Sequence, residues 1–251
     1  MRNVALITGA CSGIGFATVT TLLAGGATVI ACDINSPSAT IAKQWESESV
    51  HFLHLNVEIE TAIRTAVNQL ADEFAGIDTL VNCAGISGWG GVNEVDLSQW
   101  QKVLNINLTG TMLMCKYVLP IMLAQGAGSI INVASIFGLE ACDNNVAYNV
   151  SKGGIIQLTR SITADYASQG IRCNSVAPGL IETAMTKDIA LDPQLHEKFI
   201  SWHLQGRAGR ADEVANVIGF LASSAASFVN GQTIAVDGGF SAGRKFAPHP
   251  M

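Results

Sequence analysis

An apolar, β-rich run at residues 4–8 leads straight into Thr8-Gly9-Ala10-Cys11-Ser12-Gly13-Ile14-Gly15, and a helical apolar pattern follows through Val19, Leu22 and Leu23. Few folds admit a strand that becomes a helix through three glycines. Gly9 permits the tight turn, Gly13 lets backbone approach a pyrophosphate, and Gly15 lets the helix pack closely on the strand. Ser12 stands at the head of that helix, where unpaired N–H groups favour an anion.

The same alternation continues along the chain. Further β-rich runs occur at 28–32, 50–55, 79–82, 129–133, 171–176 and 233–236, which with the first make seven strands. Helix-patterned segments lie between them, as at 58–74, where Ile59, Ile63, Val67 and Leu70 recur at helical spacing. Strands alternating with helices specify an α/β fold of Rossmann type: a doubly wound, seven-stranded parallel sheet with helices on both faces. Without linkers or repeats, residues 1–251 read as one domain. The rhythm breaks only at 183–205, before a last helix at about 212–222, and an insertion there is expected to be a substrate lid.

Strand two ends at Asp33, 18 residues beyond Gly15. A carboxylate there accepts hydrogen bonds from adenosine ribose hydroxyls and repels a ribose phosphate. Residues 11–38 contain no Lys or Arg to neutralise such a phosphate, so NAD is expected rather than NADP.

At the other end of the chain's chemistry, Ser135 follows the fifth strand, and Tyr148 and Lys152 lie four residues apart on a helix. That spacing puts both on one face. A phenol titrates near ~10, so a tyrosine that moves protons at neutral pH needs a neighbouring cation. An ammonium at about 5 Å, in an effective dielectric of about 20, attracts a phenolate by about 3 kcal/mol, and Lys152 is expected to lower the phenol pKa in this way, with desolvation opposing part of the shift and a positively charged nicotinamide assisting it. By itself the pair would be a surface helix contact. Its position after the fifth strand, where ligands gather at the carboxyl ends of a parallel sheet, points to chemistry.

In order, Thr8 to Gly15, Asn82-Cys83-Ala84-Gly85, Asn107, Ser135, Tyr148 with Lys152, and Pro178-Gly179 with Thr183 resemble the short-chain dehydrogenase/reductase family along nearly the whole chain. The resemblance implies that Tyr148 is the acid/base, that Ser135 holds the substrate oxygen, that Lys152 also binds the nicotinamide ribose, and that Asn107 supports a water-linked proton relay. Gly9, Ser12, Gly13, Ile14, Gly15, Asp33, Asn56, Val57, Asn82, Ala84, Gly85, Pro178, Gly179, Ile181 and Thr183 are expected to bind the cofactor together with Tyr148 and Lys152. The family more often carries aspartate where Asn56 stands and asparagine where Cys83 stands. The implied reaction is hydride transfer between NAD(H) and a secondary alcohol or ketone of a small molecule. An NADPH-dependent 3-oxoacyl-carrier-protein reductase shares the resemblance, and a non-catalytic dinucleotide sensor is the reading from another class.

Charged residues are 14% of the chain against 49% hydrophobic, so much surface is expected to be covered by other subunits, and family precedent suggests a homotetramer built on the helices around 107–123 and 148–166. A net charge of −6 argues against nucleic-acid and anionic-membrane partners. No apolar run approaches a spanning length, and six scattered cysteines without metal-type spacing suggest reduced thiols, no metal and a cytoplasmic location. His51 and His54, three apart on a strand, point to opposite faces and are not expected to share a metal. Trp89, Phe137, Leu180, Met185 and Trp202 are candidates for an apolar substrate wall, Glu140 and Asn145 for reading substrate hydroxyls, and 244–251 for a C-terminal tail.

Overall fold

The computed structural model describes residues 3–48 and 50–244, so the tail beyond Arg244 lies outside the described residues. Seven strands form one sheet: β1 Val4–Thr8, β2 Thr28–Asp33, β3 His51–His54, β4 Thr79–Asn82, β5 Gly128–Val133, β6 Ile171–Pro178 and β7 Thr233–Val236. All are parallel, in the order β3-β2-β1-β4-β5-β6-β7. β3 is shorter than its sequence pattern suggested and β6 longer, because β6 keeps pairing with β7 as far as Pro178, opposite Val236.

Successive strand residues face opposite ways, and both faces are buried. Leu6, Ile30, Leu80 and Ile130 pack beneath the helices α3 Glu60–Glu73, α5 Thr111–Gln125 and α6 Val146–Tyr166. Their neighbours Ile7, Ala31, Val81 and Ile131 pack beneath α1 Gly13–Ala24, α2 Ala39–Glu48 and α9 Ala211–Ala222. The apolar stripe of α3, at Ile63, Ala66, Val67 and Leu70, faces the core as its spacing requires.

Between β4 and β5 the helix α4 Leu97–Leu104 runs through a π-helical turn at Asn105–Gly110 into α5. Taken together, 97–125 is long and apolar enough by length and composition to cross a membrane, a feature the sequence reading did not anticipate. Half of its most apolar stretch is buried, and Met114, Val118 and Met122 are fully enclosed under the sheet, as in a core helix. The π turn brings Gly110 against Val57, where a Cβ would approach Val57 Cγ2 to 2.9 Å. A one-residue widening of the helix thus sets the loop after β3.

Segment 183–205 is helical: a 3-10 turn at Ala184–Thr186, α7 Lys187–Leu191 and α8 Pro193–Trp202. Asp192 caps α8, its Oδ1 accepting from the N–H groups of Gln194 and Leu195, with Pro193 at the first helical position. The other side of this segment is a small aromatic core. Phe199 contacts Phe137 and Trp202, and Phe240 contacts Phe137, Trp202 and His203.

Leu6 lies fully buried on the central strand. Leu6→Ala should therefore cost about 2–5 kcal/mol, read as a lower urea midpoint with an unchanged m-value.

Candidate active site

A cavity of about 310 Å3 runs along the carboxyl ends of the strands. The turn after β1, Asp33 at the end of β2, Cys83 after β4, Val133 at the end of β5 and Pro178 at the end of β6 all contribute to its wall. The strand order makes this the point where the chain, having built β2 and β3 on one side of β1, crosses to β4 on the other.

At one end, Gly9 takes φ +64 and a Cβ there would come within 2.8 Å of Ala84 N, which is closer than a side chain allows. At Gly15 a Cβ would overlap the Gly9 carbonyl. Gly13 faces Thr183, and a Cβ on it would reach 3.1 Å from Thr183 Cγ2, narrowing the cradle between the turn and the loop after β6. Ser12 occupies the cap position of α1 without a side-chain capping bond, which leaves first-turn N–H groups of the helix available to an anion. This cradle fits a dinucleotide pyrophosphate.

Asp33 is buried in the wall. Its Oδ2 accepts from Cys11 N at 2.9 Å and its Oδ1 from Asn35 N at 2.8 Å. Oδ1 also accepts from Asn35 Nδ2 at 3.4 Å, and Oδ2 keeps capacity for a ribose hydroxyl. Asn56 lines the same end, its Oδ1 accepting from Glu58 N at 2.9 Å, and Glu58 adds a second carboxylate to the wall. Cys83 also lines the cavity, and burial pushes its thiol up to about 12.

At the other end stand Ser135, Tyr148 and Lys152. Ser135 is held by its own loop, with Phe137 N donating to Oγ at 3.1 Å, and it lines the same cavity as the Tyr148 phenol. Lys152 comes one helical turn later on α6. Its Nζ donates to the carbonyl oxygen of Val133 at 2.8 Å and lies 5.5 Å from the centre of the Tyr148 ring. Burial brings the Lys152 ammonium down to about 8. The spacing of Tyr148 and Lys152 predicts a depressed phenol. In the structure burial instead pushes Tyr148 above its ordinary value, with the Ser135 hydroxyl acting in the opposite direction. The reason is geometric: the ammonium is anchored on a strand carbonyl and sits by the ring, so desolvation dominates.

Of the expected site residues, Gly9, Ser12, Gly13, Ile14, Gly15, Asp33, Asn56, Val57, Ala84, Gly85, Ser135, Tyr148, Lys152, Pro178, Gly179, Ile181 and Thr183 line this one cavity. Asn82 and Asn107 do not have their side chains in its wall. Asn82 points into the layer under α5, donating to Asn132 Oδ1 at 2.9 Å while its own buried Oδ1 has no partner among the described residues. Asn107, in the π turn, accepts from Ile86 N at 2.8 Å and donates to Ile86 O and to Ser151 Oγ, each at 3.0 Å. It holds the wall from behind. A Cβ added at Gly85 would lie 3.3 Å from Asn107 Oδ1 and 3.6 Å from Lys152 Nζ, so Gly85 is the spacer between them.

Asn35, Glu58, Ile86, Ala134, Met185 and Thr186 also line the cavity, and the sequence reading assigned only Met185 any part, as a wall candidate. All lie within three residues of a strand end or of an expected residue, and that closeness is the signal that could have found them. The other wall candidates lie elsewhere: Phe137, Leu180 and Trp202 belong to the aromatic core of the 183–205 segment, and Trp89 is half exposed. Glu140 pairs with Arg244 at 2.9 Å, and Asn145 is buried at the head of α6 with Oδ1 unpartnered among the described residues. His51 packs edge-on against Phe74, and both β3 histidines are exposed.

A family model described as enoyl-(acyl carrier protein) reductase matches residues 9–241. The chain is 39% identical to the 2-(R)-hydroxypropyl-CoM dehydrogenase of Xanthobacter autotrophicus, over 96% of this chain and 100% of that one. It is 40% identical to the 3-oxoacyl-acyl-carrier-protein reductase of Thermotoga maritima, over 94% and 97% of the two chains. The crystal structure of levodione reductase superposes with a TM-score of 0.90 at 34% identity, covering 96% of this chain and 98% of that chain.

Lys152 gives the site a measurable pH signature. The unfolded lysine keeps its proton up to its ordinary 10.5 and the folded one only to about 8. Between those values the unfolded chain binds the extra proton, so this group makes stability rise with pH across the window. Lys152→Met should therefore raise the stability of the cofactor-free protein at pH 7 by up to about 3 kcal/mol, less the cost of the Val133 carbonyl it leaves unpaired. The advantage should fade between pH 8 and 10 in thermal scans. A variant less stable than wild type at pH 7 would mean that the buried ammonium contributes more than it costs.

Proposed function

As a member of the short-chain dehydrogenase/reductase family the chain is an oxidoreductase, and we propose that it transfers a hydride between NAD(H) and a secondary alcohol or ketone of a small molecule. The observation that carries this reading is the convergence of Ser135, Tyr148 and Lys152, the last two one helical turn apart, in the cavity that also holds Asp33 and the glycine turn. When bound, the nicotinamide supplies the hydride acceptor or donor. Ser135 orients the substrate oxygen, and Tyr148 Oη takes its proton in oxidation or returns it in reduction. Lys152 holds the nicotinamide ribose and supplies positive charge as the phenolate forms. Asn107 fixes the wall at Gly85 and Ile86 behind Lys152, and its part in a water-linked proton relay belongs to the same proposal. Pro178, Gly179, Ile181 and Thr183 face the cofactor from the loop after β6, and 183–205 serves as the lid that excludes water.

NAD rather than NADP is supported by charge. Asp33 and Glu58 are both in the wall, and Lys152, at the opposite end, is the wall's only basic residue among those described. The same distribution disfavours the NADPH-dependent 3-oxoacyl reductase reading. The exposed apolar side chains Met112 on α5 and Val150 on α6 support the proposed homotetramer.

Two outcomes test the proposal. Tyr148→Phe should abolish NAD reduction by secondary alcohols, followed by nicotinamide absorbance, while NAD affinity stays within a few-fold. Near-normal turnover would remove the acid/base assignment. Wild type should prefer NAD over NADP by at least about ten-fold in kcat/KM, since losing charged-acceptor hydrogen bonds costs roughly 1.5–3 kcal/mol and like-charge repulsion adds to it. Asp33→Ser should relax the ratio, and an unchanged ratio would show that this carboxylate does not face the ribose.

A further inference from the structure

Lys152 touches the segment that carries Ser135 on both sides of the serine. Its Nζ donates to Val133 O at 2.8 Å, ahead of Ser135 in the chain. Beyond Ser135, Gly138 lies against the main chain of the same lysine. A Cβ added to Gly138 would stand 2.7 Å from both the carbonyl carbon and the carbonyl oxygen of Lys152, and 3.0 Å from Gly153 N. These are backbone atoms of α6, so none of them turns aside to make room.

The loop's own conformation does not call for glycine. Gly138 ends the 3-10 turn Ile136–Gly138 at a negative φ, which alanine adopts freely, so the helix alone excludes a side chain. The turn also ties Gly138 to the serine, because Gly138 N donates to Ser135 O at 2.9 Å and Phe137 N to Ser135 Oγ at 3.1 Å. Tyr148 stands one helical turn before Lys152 on α6. Across the contact Gly153 has room to spare, since a Cβ there would meet Gly138 O at 3.8 Å, an ordinary van der Waals distance. Neither glycine lines the cavity.

We infer that Gly138 is a positioning residue: its missing side chain lets the Ser135 loop close on the backbone of Lys152 and so sets how far Ser135 stands from Tyr148. This rests on the hydride-transfer reading and adds to it a residue that touches neither substrate nor cofactor. A Cβ at Gly138 would have to retreat by about 0.7 Å, the gap between 2.7 Å and the 3.4 Å at which ordinary contact begins. The three-residue turn yields in that retreat rather than the 21-residue helix, and Ser135 is drawn away while Tyr148 and Lys152 stay in place. Misplacement of a reacting group by about 1 Å costs up to about a hundred-fold in rate.

The test measures kcat and KM of the full-length protein with NAD and 2-butanol, cyclohexanol and 1-phenylethanol, beside a titration of NAD binding that counts the folded sites. Gly138→Ala should lower kcat per NAD-binding site by at least about ten-fold while the Kd for NAD stays within about three-fold, and Gly153→Ala should keep kcat within about three-fold of wild type. A merely structural defect would reduce the number of NAD-binding sites and leave kcat per site unchanged. Should Gly138→Ala fail to fold, Gly153→Val crowds the same contact from the helix side and should show the same selective loss of kcat. A smaller fall in kcat per site in the variant that folds, or an equal fall in Gly153→Ala, would overturn the inference while leaving hydride transfer intact. Absence of NAD reduction by wild type with every alcohol would overturn both.

Discussion

Everything in this protein depends on a parallel sheet having all its carboxyl ends on one edge. Seven strands run the same way, so every connection leaving a strand begins on that edge, and side chains from residue 9 to residue 186 converge there despite their separation in the chain. The crossing from β3 to β4 turns the edge into a crevice, because the helices after β1 and after β4 depart to opposite faces. Burial of both faces, with Leu6 and Ile7 on opposite sides of the same strand, makes the edge stiff.

That stiffness is what allows an ionisable pair to be held in an unfavourable place. Tyr148 and Lys152 are both driven by burial away from their charged forms, the phenol upward and the ammonium down to about 8. The ammonium persists there because the sheet fixes what it leans on, Val133 O at the end of β5. Two groups whose ordinary values lie close together are thereby driven apart, and in the cofactor-free protein burial favours the neutral form of each.

Legibility in the sequence follows the range of the forces involved. The alternation of strands and helices, the glycine turn, Asp33 at a strand end and the Tyr148–Lys152 spacing are local patterns, and the structure brings those residues into one cavity as the sequence reading expected. What was not legible depends on the third dimension. Asn82 sits at the end of β4 like a cofactor contact, yet its side chain turns to Asn132 on β5, and nothing in the local sequence distinguishes the two directions. The weight of burial at Tyr148 is hidden for a similar reason: spacing gives proximity to Lys152 but not the depth of burial, which outweighs it in the cofactor-free protein. Glu58 and Ile86 follow motif residues without forming a motif themselves, so only the folded loop reveals them.

The 183–205 segment shows why an irregular stretch of sequence can still be ordered. Its helices are short, and short helices are marginal by themselves, so their stability must come from packing. That packing is supplied by Phe137 from the Ser135 loop and Phe240 from beyond β7, which meet Phe199 and Trp202 on α8. His203 extends the contact in polar form, with Nδ1 donating to Phe199 O at 2.8 Å while Nε2 accepts from Leu180 N at 2.9 Å, a pairing that requires the neutral ring with its proton on Nδ1. Directly above it Gly179 must lack a side chain, since a Cβ would lie 2.5 Å from His203 Nε2. The imidazole therefore ties the end of the helical segment to the loop that follows β6, and movement of one is transmitted to Pro178 and Gly179 in the cavity wall. The cavity wall and the helical segment 183–205 are thus parts of one packed unit, joined where the strand edge ends.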